Sequence, residues 1–364
     1  MESALFEARF WRREGDRIHC YLCARHCRIP EGAIGFCGVR KVVDGKLYAL
    51  NFGRVVTINV DPIEKKPLSH FMPGSYVASI ATAGCNYACQ YCQNWDISQR
   101  RRVEEPYTPA RDVVDVAISR GAHGISYTYN EPTIFAEYAM EVMGEAHKSG
   151  LFNTWVTNGY MTVEALDEIV VDLDAATVDF KGHGDRDFYR KYIWVKDAEA
   201  IFDSLRELRR RGVYIEVTDL VVPVKEGLND DSLDRLIQFV YDELGPETPL
   251  HFLRFHPDYR MMDVPHTPIE LLEMYVERAK EYGLKHVYIG NVWGHPYEDT
   301  YCPGCGYKVV DRFGFYIERF MVSRDGRCPR CGYKLNMVLR WRGVEAPILS
   351  STDLESGYTG RLYR

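Results

Sequence analysis

The eleven cysteines of this 364-residue chain fall into three groups. Cys20, Cys23, Cys27 and Cys37 form the first, Cys85, Cys89 and Cys92 the second, and Cys302, Cys305, Cys328 and Cys331 the third. Disulfide pairing would leave one thiol over, and a reducing compartment disfavours such bonds. Spacings of two or three residues instead let one loop wrap one metal ion or cluster. The expectation is a metal centre at each group.

The middle group is one ligand short of a full set. Its run, Gly84-Cys85-Asn86-Tyr87-Ala88-Cys89-Gln90-Tyr91-Cys92, follows Tyr76–Ala81, which reads as a short buried strand. Gly84 permits a tight departure from that strand. Three thiolates on a cubane 4Fe–4S cluster leave one iron without a protein ligand. An open iron can bind the amino and carboxylate groups of S-adenosylmethionine (SAM), as an open zinc position binds water. One electron from the reduced cluster then breaks the sulfonium C–S bond, giving methionine and a 5′-deoxyadenosyl radical that abstracts hydrogen. Cys85, Cys89 and Cys92 are the candidate catalytic residues.

The last group contains two Cys-Pro-x-Cys-Gly knuckles, Cys302 to Gly306 and Cys328 to Gly332. That pattern signals a closed, structural zinc-ribbon site, and iron of the rubredoxin kind fits the same ligands. Between the knuckles Phe313–Val322 reads as a strand. The first group has the spacing Cys-x2-Cys-x3-Cys-x9-Cys, which is not the usual ferredoxin run. Zinc and an auxiliary iron–sulfur cluster both fit it, with His26 as an alternative ligand. An Asp44-Gly45 hairpin signal follows, flanked by strand-like Lys46–Leu50 and then Val55–Val60.

The elements that must position these residues alternate from residue 76 to about 293. Strands are expected at Gly124–Tyr129, Thr154–Thr157, Ala176–Phe180, Tyr214–Val222, Leu250–Phe255 and His286–Ile289. Helices are expected at Ala110–Ser119, Pro132–Lys148, Val163–Leu173, Ala198–Arg211, Asp231–Leu244 and Pro268–Tyr282, with Asp230 or Asp231 and Thr267 as caps. Repeated βα alternation with right-handed crossovers predicts an α/β fold with a parallel, curved sheet. The chain divides into a four-Cys region with a β-hairpin (1–70), the α/β core (71–295), and the ribbon-like module with a Ser- and Gly-rich tail (296–364).

Composition narrows the function classes. With 46% apolar residues the chain can bury a large core, and it has no low-complexity tract. No apolar run approaches the roughly 20 residues of a membrane span, and no signal-peptide block opens the chain. A cytoplasmic protein is expected. The net charge is −7, so the run Arg100-Arg101-Arg102 reads as a solvated loop and no nucleic-acid partner is expected.

The Cys-x3-Cys-x2-Cys spacing, with Tyr91 before the third cysteine, resembles the signature of the radical SAM superfamily. That resemblance implies a partial TIM barrel, (β/α)6. Tyr129-Asn130-Glu131, followed by Pro132, stands where the family usually has Gly-Gly-Glu, whose backbone and carboxylate hold the SAM amino group; Glu131 matches, and Tyr129 and Asn130 replace the glycines. Thr157-Asn158-Gly159 and Asp179-Phe180-Lys181 resemble motifs of the glycyl-radical-enzyme activases, which line the SAM pocket. Val156 and Thr218 stand where that branch has a cation-binding Asp and an Arg; Arg254 is a substitute cation by charge. His256 matches a family His near SAM, and Asn291 of Gly290-Asn291-Val292 is expected near the adenine.

The order of the motifs narrows the resemblance. Asp61-Pro62-Ile63-Glu64-Lys65-Lys66-Pro67-Leu68 precedes the cysteine loop, and Arg254-Phe255-His256-Pro257-Asp258-Tyr259 follows it. With the first cysteine group, these look like the AmmeMemoRadiSam-system radical SAM enzymes, relatives of the pyruvate formate-lyase activating enzyme, over residues 17 to 332. The likeness implies a reductant such as ferredoxin or flavodoxin and admits either a protein glycine or a small molecule as substrate. The competing reading is a non-catalytic metalloprotein, a zinc scaffold or an electron carrier.

Overall fold

The computed structural model describes residues 5–100 and 102–349; Arg101 and the tail from residue 350 lie outside them. Eight strands form the central sheet in sequence order: β1 (Val55–Pro62), β2 (Tyr76–Thr82), β3 (Gly124–Tyr127), β4 (Phe152–Thr157), β5 (Ala175–Lys181), β6 (Tyr214–Val221), β7 (Leu250–Arg254) and β8 (Val287–Gly290). Every neighbouring pair from β2 to β8 is parallel. β1 adds an antiparallel strand outside β2.

Six crossovers link the parallel strands, through α1 (Ala110–Ser119), α2 (Ala136–Lys148), α3 (Val163–Ile169), α4 (Glu199–Arg210), α5 (Asp230–Phe239) and α6 (Ile269–Tyr282). A sheet that advances one strand at a time in a constant hand keeps its crossover helices on one face, so the other face turns inward. Among the described residues the edge strands β1 and β8 do not pair with each other. The result is the expected (β/α)6 core, finished by a seventh parallel strand and left open.

Alternation along the strands separates two faces. Tyr127, Trp155 and Phe180 face the helices, Phe180 lying 5.0 Å from Phe202 of α4. Their neighbours Thr177, Asp179, Glu216, Thr218 and His251 make polar contacts inside the curve, which is therefore a polar lumen. Helix formation follows the same logic: α4 buries Ile201, Phe202, Leu205 and Leu208, one stripe at helical spacing.

Several expectations are corrected in detail. Pro132–Lys148 is not one helix; a 3-10 turn at Pro132–Phe135 precedes α2, because Glu131 caps that turn by accepting from the Thr133 N–H. The cap of α5 is Asn229, one residue before the expected Asp pair. Thr267 does not cap α6: its hydroxyl donates to the Val221 carbonyl at 2.6 Å and accepts from the Phe255 N–H. Phe313–Val322 is not one strand. It spans a hairpin between Lys308–Phe313 and Tyr316–Phe320, with Gly314 at φ +61° in the turn.

The N-terminal region folds as two small sheets, Trp11–Glu14 with Arg17–Cys20 and Arg28–Pro30, and Phe6–Glu7 with Lys46–Ala49 and Arg40–Val43. The Asp44-Gly45 turn joins the last two, with positive φ at both residues. The C-terminal module packs on the opposite end of the core. There Phe71, Val77, Phe152 and Ala175 share a second apolar cluster with Val310, Phe320, Leu335 and Trp341. Arg312 donates to the Ser69 carbonyl at 3.0 Å, and the Met72 N–H donates to the Val338 carbonyl at 2.8 Å. His70 sits between them, with its N–H on Glu216 at 2.7 Å and its Nε2 at 2.6 Å from the Tyr288 hydroxyl. Among the described residues no helix is long and apolar enough to cross a membrane.

Candidate metal centres and cofactor pocket

The middle cysteines occupy the loop that leaves the C-terminal end of β2. Gly84 starts it at φ +94°, and a Cβ there would meet the Cys37 carbonyl at 2.5 Å, so only glycine fits. Asn130 clamps the departure from the next strand by donating to the carbonyls of Thr82 at 2.6 Å and Gly84 at 2.7 Å. The Cys85 sulfur accepts the Tyr87 N–H at 3.4 Å, and the Cys92 sulfur lies 3.2 Å from the Ser98 hydroxyl. Burial pushes the Cys89 thiol up to about 12, Cys92 adds to this, and the Lys181 ammonium opposes it. Burial also holds Cys85 well above the ordinary thiol range, with Glu131 adding to it. In such surroundings a thiolate needs a metal in the proton's place.

Glu131 is fully buried, and its carboxylate is occupied from within. It accepts from the Thr133 N–H at 3.0 Å, the Thr133 hydroxyl at 2.5 Å, the Thr157 hydroxyl at 2.7 Å and the Asn158 N–H at 2.8 Å. Asn158 continues the chain by donating to Asn86 Oδ1 at 2.7 Å, beside Cys85. Thr157, Asn158 and Glu131 thus tie the ends of β3 and β4 to the cysteine loop. Buried polar atoms here with no hydrogen-bond partner among the described residues include Asn130 Oδ1 and the Tyr87 hydroxyl, while the Tyr91 hydroxyl lies against the Cys89 thiol. The donor set fits an open cluster with SAM: three thiolates on one loop, and an unpartnered carbonyl oxygen beside them that an ammonium can satisfy.

Farther round the mouth, Asp179 and Lys181 pair at 3.0 Å, and the Thr218 hydroxyl donates to Asp179. Thr218 therefore orients the Asp179 carboxylate. Arg254 donates to the Thr267 carbonyl at 2.9 Å. His256 is exposed, with Nδ1 at 2.7 Å from the Pro257 carbonyl and its ring 4.7 Å from His266. Its neighbours reach the loop: Tyr259 stacks on Trp95, and the Arg260 N–H donates to the Gln90 carbonyl at 2.8 Å. Asn291 is exposed at φ +63° and donates to the Arg254 carbonyl at 3.1 Å.

The lumen also holds a cluster to which sequence reasoning assigned no role. Asp61 accepts from Lys66 at 2.8 Å and from the Tyr129 hydroxyl at 2.7 Å, and the Lys66 ammonium lies 4.7 Å from the centre of the Tyr129 ring. Burial lowers Lys66 to about 8, against the opposing pull of Asp61. Tyr129 keeps φ +68°, a conformation natural to glycine, held by its hydroxyl bond and by Asn94 donating to its carbonyl at 2.7 Å. The signal was present in the Asp61 to Leu68 motif, but nothing local shows that this segment threads into the lumen.

The flanking groups differ in span. Cys302 and Cys331 stand 3.5 Å apart and Cys305 and Cys328 3.8 Å, with all four sulfurs within 4.8 Å of one another. That is the set a single metal ion needs. Cys20, Cys23, Cys27 and Cys37 line one enclosed pocket with Arg25, Arg40 and Asn86. His26 turns away from it, its Nδ1 lying 3.1 Å from His19 Nε2.

Residues 79–240 match the family model of the radical SAM superfamily. Over 313 residues the chain is 47% identical to the uncharacterized protein MJ0808 of Methanocaldococcus jannaschii, spanning 85% of this chain and 92% of that one. Among solved structures, a domain of pyruvate-formate lyase-activating enzyme from Bacteroides vulgatus aligns at 15% identity and a TM-score of 0.40, covering 47% of this chain and all of that domain. Streptococcus suis SuiB bound to S-adenosylmethionine aligns at 12% identity and a TM-score of 0.46, covering 60% of this chain and 52% of SuiB.

Proposed function

Because this chain belongs to the radical SAM superfamily, we propose that Cys85, Cys89 and Cys92 hold a 4Fe–4S cluster whose fourth iron is left for SAM. When bound, the cluster supplies one electron to the SAM sulfonium, and the 5′-deoxyadenosyl radical so released takes a hydrogen atom from an organic substrate. The observation that carries this reading is the incomplete ligand set: three thiols on one loop, with the remaining eight cysteines committed to the other groups.

The protein's own part is to bind and orient. Asn130 Oδ1, lacking a partner, accepts from the SAM ammonium. Glu131 acts as a positioning residue, since two of its four internal hydrogen bonds hold Thr157 and Asn158 against the loop. Lys181, paired with Asp179, sets a positive charge near Cys89 and Cys92 and favours their thiolate forms. Tyr91 closes the loop against Phe255, their rings 5.9 Å apart. His256 and Asn291 frame the outer rim of the mouth, where the adenine is expected.

Zinc at Cys302, Cys305, Cys328 and Cys331 is a structural assignment, since four thiolates leave no open position. The electron comes from a ferredoxin or flavodoxin, and the oxygen-sensitive chemistry suits a reducing cytoplasm. Within the reading, activase-like abstraction from a protein glycine is the finer alternative to a small-molecule substrate.

The test is anaerobic reconstitution with iron and sulfide, addition of dithionite and SAM, and chromatography for 5′-deoxyadenosine. Its appearance in step with methionine supports the proposal. A middle site filled by zinc, with no SAM binding, sinks it in favour of a non-catalytic metalloprotein.

A further inference from the structure

We propose that Cys20, Cys23, Cys27 and Cys37 hold a polynuclear iron–sulfur cluster rather than a single zinc ion, against the wall of the Cys85 loop. The first argument is span. A Zn–S bond of about 2.3 Å sets tetrahedral thiolates about 3.8 Å apart. The C-terminal group has that spacing, 3.5 and 3.8 Å in its two closest pairs. Among the described residues it alone brings three or more such ligand atoms within 4.8 Å of one another. The N-terminal sulfurs surround one pocket without forming such a set, as four thiolates do when each pair or each sulfur serves a different iron.

The second argument is an orphaned donor. Arg40 is 2% exposed and lines the same pocket. Its two Nη atoms are spent on Glu137, each at 2.5 Å, and on the Ile134 carbonyl at 3.1 Å. Its Nε–H has no partner among the described residues. A buried N–H of this kind calls for an acceptor, and the sulfurs of an anionic cluster supply one. Leu22, Ile29 and Ile134 make the rest of the wall apolar, which suits a delocalised, weakly hydrated cluster. His26 faces His19, so the ligands are the four cysteines.

The pocket and the catalytic loop share a boundary. Asn86, next in sequence to Cys85, lines the pocket, and Arg25 donates from it to the Asn86 carbonyl. The Cys37 carbonyl fills the space that a side chain at Gly84 would need.

The inference stands on the N-terminal residues alone and is separable from the reading of the central site. The full-length variant Cys85→Ala/Cys89→Ala/Cys92→Ala, reconstituted with iron, sulfide and zinc, is analysed for metals and acid-labile sulfide and by Mössbauer spectroscopy. The expected result is at least about two irons with matching sulfide, and about one zinc, per chain. About two zinc and no iron would overturn the proposal. Should that variant fail to fold, Cys23→Ala/Cys27→Ala in the otherwise unaltered chain serves. It should lose iron and sulfide at constant zinc; loss of one zinc at constant iron would overturn the proposal equally. Retention of all the iron by the first variant would count against the central cluster and leave this one standing.

Discussion

At the base of the barrel four sulfurs stand within 4.8 Å of one another, while at its mouth one loop supplies three sulfurs, one ligand short of a closed set. The base site is completed by the protein alone, between two knuckles whose glycine amides turn back onto Cys302 and Cys328. The mouth is completed only by what binds there. On the proposed reading the same residue type serves stability at one end and reaction at the other, and the difference lies in ligand count rather than in the chemistry of the thiolate.

The strongest way to break that comparison is Cys89→Ala. SAM cleavage should fall to background in the 5′-deoxyadenosine assay while far-UV circular dichroism at 25 °C is unchanged, because the barrel core does not depend on that thiolate. Global unfolding would show that the mouth is structural too. Next comes Cys305→Ala at the base. It should release about one zinc per chain and lower stability by several kcal/mol, read as a drop in Tm, with cleavage per folded molecule retained.

A smaller effect tests the seam between the two ends. Glu64 is buried there, accepts the Gly74 N–H at 2.8 Å, and is pushed up from 4.5 to about 7 by burial. A carboxyl whose folded pKa is raised binds more protons folded than unfolded. Its contribution is therefore complete below pH 4.5 and lost as pH rises through 7. Glu64→Gln should match the parent in unfolding free energy near pH 4.5 and exceed it at pH 8, by up to about 3 kcal/mol for this shift. A constant difference across that range would refute the assignment. The smallest effect is Thr157→Val, which removes one donor from Glu131, worth about 1 kcal/mol. A rise of about fivefold in KM for SAM with little change in kcat would mark Glu131 and Thr157 as positioning residues at the mouth.

Much of this organisation was legible before any coordinates. The βα alternation announced the parallel sheet, because buried strands and amphipathic helices leave different periods. The cysteine spacings announced the groups, because knuckles and cluster loops are local in sequence. What stayed hidden was set by long-range contact. Phe313–Val322 reads as one apolar run, and only its pairing with Lys308–Phe313 shows the turn at Gly314. Glu131 was expected to face SAM, and nothing nearby in sequence reveals that Thr157 and Asn158 occupy its carboxylate. Asp61 and Lys66 meet Tyr129 only because the segment after β1 passes through the lumen.

His70, Arg312 and the Val338 backbone stopper the floor of the lumen. A chamber blocked below is a cul-de-sac: on the proposed reading reactant and product share one doorway, the rim that carries the Cys85 loop. A long polymer cannot be threaded through such a vessel and must instead present a tip or a bend to be acted upon.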